Sequence, residues 1–383
     1  MSPAHSSPTH SSSSIRVLIV DDSVTVRQLV VDALSTDPEL QVVGTAANGV
    51  LALSMLARTQ PDCIVLDLDM PVMDGLEFLQ RLRAGYPRLP VIVFSTLTTH
   101  GAESTLAAMW NGASDYVAKP QAGDYDSALR QTRAELVYRI KAFAHRSRSA
   151  PSAPSASASR TSAGRAGQSG AAPVQPFHAT PATPAVRASL VAIGASTGGP
   201  RALVDILSAM PGDLEAPVLV VQHMPPLFTR HFADGLAAQC ELVVREAEHG
   251  VVLEPGTVWI APGDHHMTIS RDGAMVRVWL DKDPHENACR PSVDPMLRSV
   301  ARVHGAGALA VILTGMGSDG MLGCRAIREA HGQVVAQDEA TSVVWGMPGS
   351  VVRAELAQAV LPVESIASEI VQRVRRNTSR RAA

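Results

Sequence analysis

The sequence has few cysteines, and they form no pattern typical of a zinc site or a disulfide framework. The four cysteines, Cys63, Cys240, Cys289 and Cys324, are widely separated, and no C-x-x-C motif occurs. Each lies in or near an apolar stretch, so the sequence predicts free thiols buried in the domain cores. Reduced thiols are typical of the cytosol, and a cytosolic protein is therefore expected.

Several targeting and binding signals are also missing. The first residues, MSPAHSSPTHSSSS, lack the apolar core of a signal peptide, and no apolar run is long enough to span a bilayer. The formal net charge of −3 gives no electrostatic reason to expect nucleic-acid binding. No convincing helix-turn-helix follows the first half of the chain, which argues against a DNA-binding protein.

The chain of 383 residues is long for one domain, and two domains are predicted. Residues 144–187 are dominated by Ser, Ala, Pro and Gly without periodicity, so they are predicted to be a flexible linker. This places an N-terminal domain at 15–143 and a C-terminal domain at 188–374. Residues 1–14 are predicted to be a disordered tail, and 375–383 a basic tail.

The N-terminal half alternates strand and helix patterns, which favours a parallel sheet covered by helices on both faces, a (βα)5 fold of the flavodoxin-like type. The predicted strands cover residues 15–20, 40–43, 63–66, 91–94 and 115–118.

Polar side chains follow four of these strands. Asp21 and Asp22 follow the first, Asp67 the third, Ser95 the fourth and Lys119 the fifth. Any one of them alone is most simply a loop residue or a helix cap. Together they are expected to meet, because parallel strands present their carboxyl ends at one edge of a sheet. Clustered carboxylates suit a hard cation such as Mg²⁺, and this chemistry fits phosphorylation of an aspartate.

The motifs IVDDS, VLDLDMPVMDGLEFL, VFSTLT and YVAKP make residues 15–135 resemble the receiver domain of two-component response regulators. The resemblance implies that Asp67 is the phosphoacceptor and that a histidine kinase is the phosphodonor. The other roles that it implies are Mg²⁺ binding by Asp21, Asp22, Asp67 and the main-chain carbonyl of Asp69, and phosphoryl contacts by Ser95 and Lys119.

In the C-terminal half, the stretch GASTGGP at 194–200 follows an apolar run and precedes a helical pattern. It can be a tight turn that needs glycine for steric reasons, or an anion-binding helix start. No P-loop or G-x-G-x-x-G motif supports the second interpretation. The stretch also fits G-x-S-x-G between a strand and a helix, which makes Ser196 a candidate nucleophile.

Two further reactive side chains follow apolar strand patterns, His223 after residues 218–222 and Asp319 after residues 310–313. Parallel strands would gather both beside Ser196, with His223 as the base and Asp319 orienting the imidazole. His223 can instead be a turn histidine and Asp319 a helix N-cap. His265 and His266 compete for the role of base, but they lie in a predicted hairpin.

The order Ser, His, Asp differs from that of the α/β-hydrolases. We therefore expect a doubly wound, Rossmann-like α/β sheet with a β-hairpin insertion around residues 242–281. Main-chain N–H groups of the turn Gly315–Gly317, or of the helix start after Ser196, can supply an oxyanion hole.

The motifs GASTGG, QHMP, IAPG, RPSVD, LTGMGSDG and WGMP make residues 188–370 resemble the chemotaxis protein-glutamate methylesterases of the CheB type. The resemblance implies a cytoplasmic chemotaxis hydrolase that cleaves glutamate methyl esters on chemoreceptors, releases methanol and deamidates certain receptor glutamines. It assigns the triad to Ser196, His223 and Asp319, a main-chain oxyanion contact to Met316, and a place lining the site to Arg290. No cofactor is expected for hydrolysis, and the protein is expected to be a monomer.

The resemblance also implies that the unphosphorylated receiver covers the path to Ser196, so that removing residues 1–187 is expected to raise basal activity. The alternative is a non-enzymatic adaptor switched by phosphorylation, because receivers are joined to many output domains. The Ser, His, Asp set at strand ends favours the enzyme, since an adaptor would not require it.

Overall fold

The computed structural model describes residues 14–96, 98–120, 123–149 and 186–375. Residues 1–13, 376–383 and 150–185 lie outside these ranges, so most of both predicted tails and of the predicted linker is not among the described residues. None of the helices within the described ranges combines the length and apolar character that a bilayer crossing requires.

The N-terminal domain contains, within the residues described, a sheet of five parallel strands in the order β2-β1-β3-β4-β5. The strand positions predicted from the sequence are confirmed, as is the (βα)5 order. The strands are β1 Ile15–Val20, β2 Leu40–Ala46, β3 Cys63–Leu66, β4 Val91–Ser95 and β5 Asp115–Ala118.

Five helices alternate with these strands in the described part of the domain. The last helix continues beyond residue 143, so residues 144–149, predicted as linker, are helical. The helices are α1 Val24–Ser35, α2 Gly49–Thr59, α3 Gly75–Gly85, α4 Thr99–Trp110 and α5 Tyr125–Ser149.

Local side chains fix where the first helices begin. The side chains of Ser23, Asn48 and Asp74 accept hydrogen bonds from backbone N–H groups in the first turns of α1, α2 and α3. Each cap follows a strand directly or after a short loop, so the polar strand ends and the helix starts lie at the same edge of the sheet.

In the C-terminal domain, the described residues form a sheet of seven parallel strands in the order β14-β13-β12-β6-β7-β9-β8 and a separate antiparallel pair, β10-β11. The strands are β6 Leu190–Ala195, β7 Val218–Gln222, β8 Val243–Glu246, β9 Thr257–Ile260, β10 His266–Asp272, β11 Met275–Asp281, β12 Ala308–Ile312, β13 Gln333–Gln337 and β14 Ala359–Leu361. The helices are α6 Gly199–Leu207, α7 Phe228–Ala237, α8 Val293–His304, α9 Met321–Glu329, α10 Met347–Arg353 and α11 Val363–Val374.

The predicted hairpin insertion around 242–281 is only half correct. Residues 266–281 do form a hairpin, but β8 and β9 are parallel to each other and extend the main sheet. The apolar alternation of a short strand is the same whichever strand it pairs with, so its partner could not be identified from the local pattern.

The chain enters the large sheet at its centre with β6. The next strands are added on one side of β6 and the last three on the other side. β6 lies between β12 and β7, and the three strands are entirely buried. Neighbouring strands that lead to opposite halves of a parallel sheet create a crevice at their carboxyl ends, where ligands bind in such folds.

The two domains contact each other through α4 and α7. The Trp110 ring stacks on Phe232 with centroids 5.9 Å apart, and the Tyr116 ring stacks on Phe228 at 5.0 Å. The Arg146 guanidinium of α5 also donates to the carbonyl of Thr341. An apolar interface therefore joins the end of β5 to the helix that follows β7.

Candidate functional site

The turn after β6 holds Ser196 against the end of β12. The Ser196 N–H donates to the Thr314 carbonyl at 3.0 Å. A Cβ atom on Gly315 would lie only 2.7 Å from the Ser196 Cβ, so the close approach of the two turns requires glycine there. Gly198 has a φ of 76°, which opens α6 directly after the serine. The glycines of GASTGGP therefore serve the turn that presents Ser196.

Gln222, the last residue of β7, ties the serine turn to His223. Its Nε2 donates to the carbonyls of Ser196, at 3.1 Å, and His223, at 3.2 Å. The His223 N–H in turn donates to the Ala195 carbonyl at 3.1 Å. Gln222 was not identified from the sequence, because in the strand pattern it looks like an ordinary terminal residue.

Asp319 meets His223 directly. The imidazole Nε2 lies 2.8 Å from Asp319 Oδ2, and the carboxylate is 2% exposed. The structure thus brings together two of the predicted triad residues, and Ser196 lies on the neighbouring strand end. The predicted alternative role of Asp319 as an N-cap of α9 is wrong, since Gly320 occupies that position without a side-chain cap.

The Asp319 carboxylate instead caps α8. Besides the imidazole, it accepts hydrogen bonds at 2.7 to 3.1 Å from main-chain and side-chain donors at the start of α8, in the loop before it, and at the start of α9. These donors are the N–H groups of Val293, Asp294 and Gly320, the Ser292 hydroxyl and the Asn287 amide. A carboxylate with so many donors is fixed in position and in charge.

The electrostatics of the pair follow from these contacts. Burial alone would raise the pKa of Asp319, but the hydrogen bonds from His223, the Val293 N–H and the Ser292 hydroxyl hold it below its ordinary value. Burial alone would lower the pKa of His223, but its contacts with Asp319 and Cys289 raise it to about 9. The imidazole therefore lies beside a carboxylate that stabilises its protonated form.

The competing histidines have structural roles. His266 is 2% exposed, its Nδ1 accepts from the Ser292 N–H at 3.2 Å, and its Nε2 donates to the Pro284 carbonyl at 3.1 Å. His265 Nδ1 lies 3.2 Å from the Gly263 carbonyl. Both rings are hydrogen-bonded to backbone groups outside the predicted triad, which supports His223 as the base.

Arg290 was expected to line the site, but its side chain binds groups outside the triad. Its guanidinium pairs with Asp264 and donates to the carbonyls of Lys282 and Asp283 at 3.0 Å. These bonds close the loop between β11 and α8. Arg290 therefore shapes the loop that carries the neighbours of His223.

The turn at 315–317 is the predicted source of an oxyanion contact. The Gly315 N–H already donates to the Val344 carbonyl at 3.0 Å. Met316 follows on the exposed side of the turn, with 53% of its surface exposed, and Gly317 has a φ of 85°. The Met316 main chain remains the predicted donor.

Two residues beside the triad were missed in the sequence. Asn287 donates both to Asp319 and to the buried Asp294, at 2.8 and 2.9 Å. The Cys289 Sγ lies 3.6 Å from His223 Nδ1 and is half-buried, so the prediction of four buried thiols is wrong for Cys289, and also for Cys240. No periodic signal marks this loop, and its contacts depend on how it folds over α8.

The N-terminal domain has its own cluster at the carboxyl edge of its sheet. Carboxylate oxygens of Asp21, Asp22 and Asp67 lie within 4.8 Å of one another. Lys119 Nζ lies 2.9 Å from both Asp21 and Asp67. The buried Ser95 hydroxyl, 3.3 Å from the Gly101 carbonyl, belongs to the neighbouring strand. Four of the five residues predicted from strand ends thus meet at this edge, and Ser95 ends the strand beside them.

The electrostatics of this cluster differ from those of the triad. Burial and the neighbouring Asp21 raise the pKa of Asp67 to about 6, although Lys119 acts in the opposite direction. The exposed Asp69 follows Asp67 by two residues, and its side chain lies 3.7 Å from His100. An all-oxygen set of this kind fits a hard cation such as Mg²⁺.

Comparison with known proteins agrees with this two-site organisation. A CheB methylesterase family model matches residues 191–370, and a response regulator receiver domain model matches residues 17–128. The relatives include protein-glutamate methylesterase/protein-glutamine glutaminases of Trichodesmium erythraeum, 43% identical over 94% of this chain and 99% of that protein, and of a Nocardioides species, 49% identical over 94% and 96%.

Among solved structures, the CheB methylesterase catalytic domain of Thermotoga maritima is 43% identical, covers 49% of this chain and 99% of its own, and has a TM-score of 0.48. The identity to the curated relatives extends over nearly the whole length of both chains. The protein therefore belongs to the CheB methylesterase family and carries an N-terminal response regulator receiver domain.

Proposed function

We propose that the protein is a phosphorylation-activated serine esterase that hydrolyses glutamate methyl esters on chemoreceptors and deamidates receptor glutamines. The observation that carries the proposal is the His223–Asp319 pair at 2.8 Å, set beside the turn that presents Ser196. A non-enzymatic adaptor has no need for a buried carboxylate fixed on an imidazole, so this geometry favours the enzyme.

The reaction follows from the positions of the groups. Ser196 Oγ attacks the ester carbonyl while Nδ1 of His223 takes its proton, and the Met316 N–H stabilises the oxyanion. Collapse of the tetrahedral intermediate breaks its bond to the methoxy group, which takes the proton from His223 and leaves as methanol. The glutamyl group remains bound to Ser196 as an ester. Water then adds to this ester with His223 again as base. Cleavage of the bond to Ser196 Oγ, with the proton returned from His223, releases the glutamate carboxylate and regenerates the serine.

Deamidation uses the same groups on a glutamine. The leaving group is ammonia, which must be protonated as it departs. Because Nε2 is bound to Asp319, the proton is delivered from Nδ1, on the side of the ring from which it was taken. One base therefore serves both substrates, and both reactions end at a glutamate side chain.

The receiver domain supplies the control. Asp67 is the proposed phosphoacceptor, with a chemotaxis histidine kinase as phosphodonor. Mg²⁺, held by Asp21, Asp22, Asp67 and the main-chain carbonyl of Asp69, would offset the negative charge of the incoming phosphoryl group. Lys119, now bound to Asp21 and Asp67, would turn to pair with the phosphoryl oxygens.

The interface between the domains offers a route for that control. Tyr116 lies three residues before Lys119 and stacks on Phe228, the first residue of α7, five residues after His223. A rearrangement around phosphorylated Asp67 that displaces Tyr116 would loosen this stacking and open the approach to Ser196. The proposal places the protein in the cytoplasm, where it would act as a monomer on receptors without entering the membrane.

The test is methanol release from methylated chemoreceptor membranes. The full-length protein is compared with Ser196→Ala, each with and without the small phosphodonor acetyl phosphate and Mg²⁺. We expect stimulated release from the native protein and none above background from the variant. Release that continues unchanged in Ser196→Ala would remove the serine as nucleophile. A folded native protein that releases no methanol from several receptors would favour the adaptor.

A further inference from the structure

Both ring nitrogens of His223 have partners in this structure. Nε2 lies 2.8 Å from Asp319, and Nδ1 lies 3.6 Å from the Cys289 Sγ. A carboxylate with a lowered pKa can only accept, so Nε2 carries the hydrogen of the neutral imidazole and Nδ1 presents its lone pair. In the neutral imidazole the Cys289 thiol therefore donates to Nδ1, and in the protonated imidazole the Nδ1–H donates to the sulfur.

Nδ1 is also the atom that must take the proton of Ser196. Among the hydrogen bonds of the described residues, none joins the serine hydroxyl to His223, whose Nδ1 faces the thiol. One lone pair accepts one strong hydrogen bond at a time. The thiol and the nucleophile thus compete for the same position on the base.

The loop around Cys289 is built to hold the thiol in place. Asn287 and Ala288 both have positive φ values, 54° and 59°, which non-glycine residues adopt only when their surroundings impose it. Main-chain hydrogen bonds join Glu286 and Cys289 in both directions, and the Glu286 carboxylate is held by two bonds of 2.6 Å from Arg298. The loop therefore fixes the Cys289 backbone at a position from which the thiol reaches Nδ1.

We propose that Cys289 is a positioning residue that holds the imidazole of His223 away from Ser196 in the resting protein and so restrains basal hydrolysis. The inference rests on the proposed function, because it takes His223 as the base that serves Ser196. A thiol is a weak donor, so a serine hydroxyl aligned by bound substrate can displace it. Cys289 would lower the resting rate without preventing turnover.

The test uses the unphosphorylated full-length protein on methylated receptor membranes. Cys289→Ala and Cys289→Val remove the donor, Cys289→Ser keeps one, and Cys240→Ala is the matched control at a half-buried cysteine elsewhere. We expect the alanine and valine variants to raise kcat roughly threefold to tenfold with KM unchanged, as for one lost hydrogen bond. The serine variant and the control should stay within about twofold of the native rate.

The rate of labelling of Ser196 by a fluorophosphonate gives a second readout that does not depend on receptor binding. It should increase in Cys289→Ala and Cys289→Val and not in Cys289→Ser. A purely structural role for Cys289 would lower all of these rates, so unchanged or slower turnover and labelling in both donor-free variants would overturn the inference.

Failure of the inference is separable from failure of the proposed function. Ser196→Ala is made in the native and Cys289→Ala backgrounds. If methanol release is lost in both but Cys289→Ala is no faster than the native protein, the esterase stands and the role of Cys289 is rejected. If Ser196→Ala retains full release, the proposed function is wrong, and the role of Cys289 is rejected with it.

Discussion

Each domain places an aspartate at the carboxyl edge of a parallel sheet, yet the two carboxylates have opposite surroundings. Asp67 follows β3 among other carboxylates, with Lys119 as its main compensating charge, and its pKa is raised to about 6. Asp319 lies beyond β12, accepts hydrogen bonds from several N–H and O–H groups and has a lowered pKa.

The difference shows how one topology serves two kinds of chemistry. An aspartate crowded by like charge and short of donors is suited to bind a cation and accept a phosphoryl group. An aspartate saturated with donors cannot change its charge or move, and is suited to orient a base. The donors around each carboxylate, more than its place at the sheet edge, decide its role.

The largest effect is expected from removing the negative charge of Asp319. Asp319→Asn keeps the size of the side chain but replaces one accepting oxygen by a donating NH2 group. The imidazole and the N–H groups around it all donate, so some of them lose their acceptor. We expect methanol release to fall roughly 10³- to 10⁴-fold, because the imidazole loses its orientation and tautomer. Initial rates on methylated receptors measure the loss. A decrease below about tenfold would mean that Asp319 is a helix cap only.

The pH dependence of kcat/KM tests the electrostatics of the same pair. His223 must be neutral to accept a proton, and its pKa is raised to about 9 by Asp319 and Cys289. Activity should therefore rise with pH from 6.5 towards 9, by roughly a factor of ten per unit below the pKa. Receptor-independent fluorophosphonate labelling over the same range is the control for changes in the membranes. An acidic limb at or below pH 6.5 would contradict this account of the base.

The contact between the two regions can be weakened without touching either carboxylate. Trp110→Ala removes the ring that stacks on Phe232, and basal methanol release should rise roughly twofold to tenfold, the worth of an aromatic pair. Tyr86→Ala, at an exposed aromatic of the same domain, is the matched control. Equal rates in both variants and the native protein would argue that the interface does not restrain the enzyme.

The smallest effect is expected at Asn287, which supplies one of several donors to Asp319. Asn287→Ala should lower kcat about threefold to fivefold, because the remaining donors still hold the carboxylate while Asp294 and Asp319 lose the amide between them. Steady-state kinetics with KM determined separately would measure this. A decrease in kcat as large as that of Asp319→Asn would show that the remaining donors cannot hold the carboxylate without Asn287.

The sequence predicted most of what depends on strand topology. Ser196, His223 and Asp319 are far apart in the chain, yet three strand ends in one parallel sheet must bring them to one edge, and the same argument located Asp21, Asp67 and Lys119. These positions could be found because apolar runs mark strands, and strand direction determines which ends meet.

The remaining errors arise where contacts depend on the path of a loop or on strand pairing. Cys289 and Asn287 reach the triad through residues with positive φ that are not glycine, a conformation without a signature in the residue types. β8 and β9 have the alternation of a hairpin but pair in parallel. The end of α5 was placed too early, because residues 145–149 are polar and continue the helix without an apolar pattern.

The central claim is that the acidic cluster of one domain controls the serine chemistry of the other. The most direct measurement is methanol release with acetyl phosphate and Mg²⁺, comparing the native protein with Asp67→Asn. We predict that the phosphodonor accelerates the native protein, while Asp67→Asn keeps the native basal rate and gives no acceleration. Equal acceleration of both proteins would contradict the account, because the stimulus would then bypass Asp67.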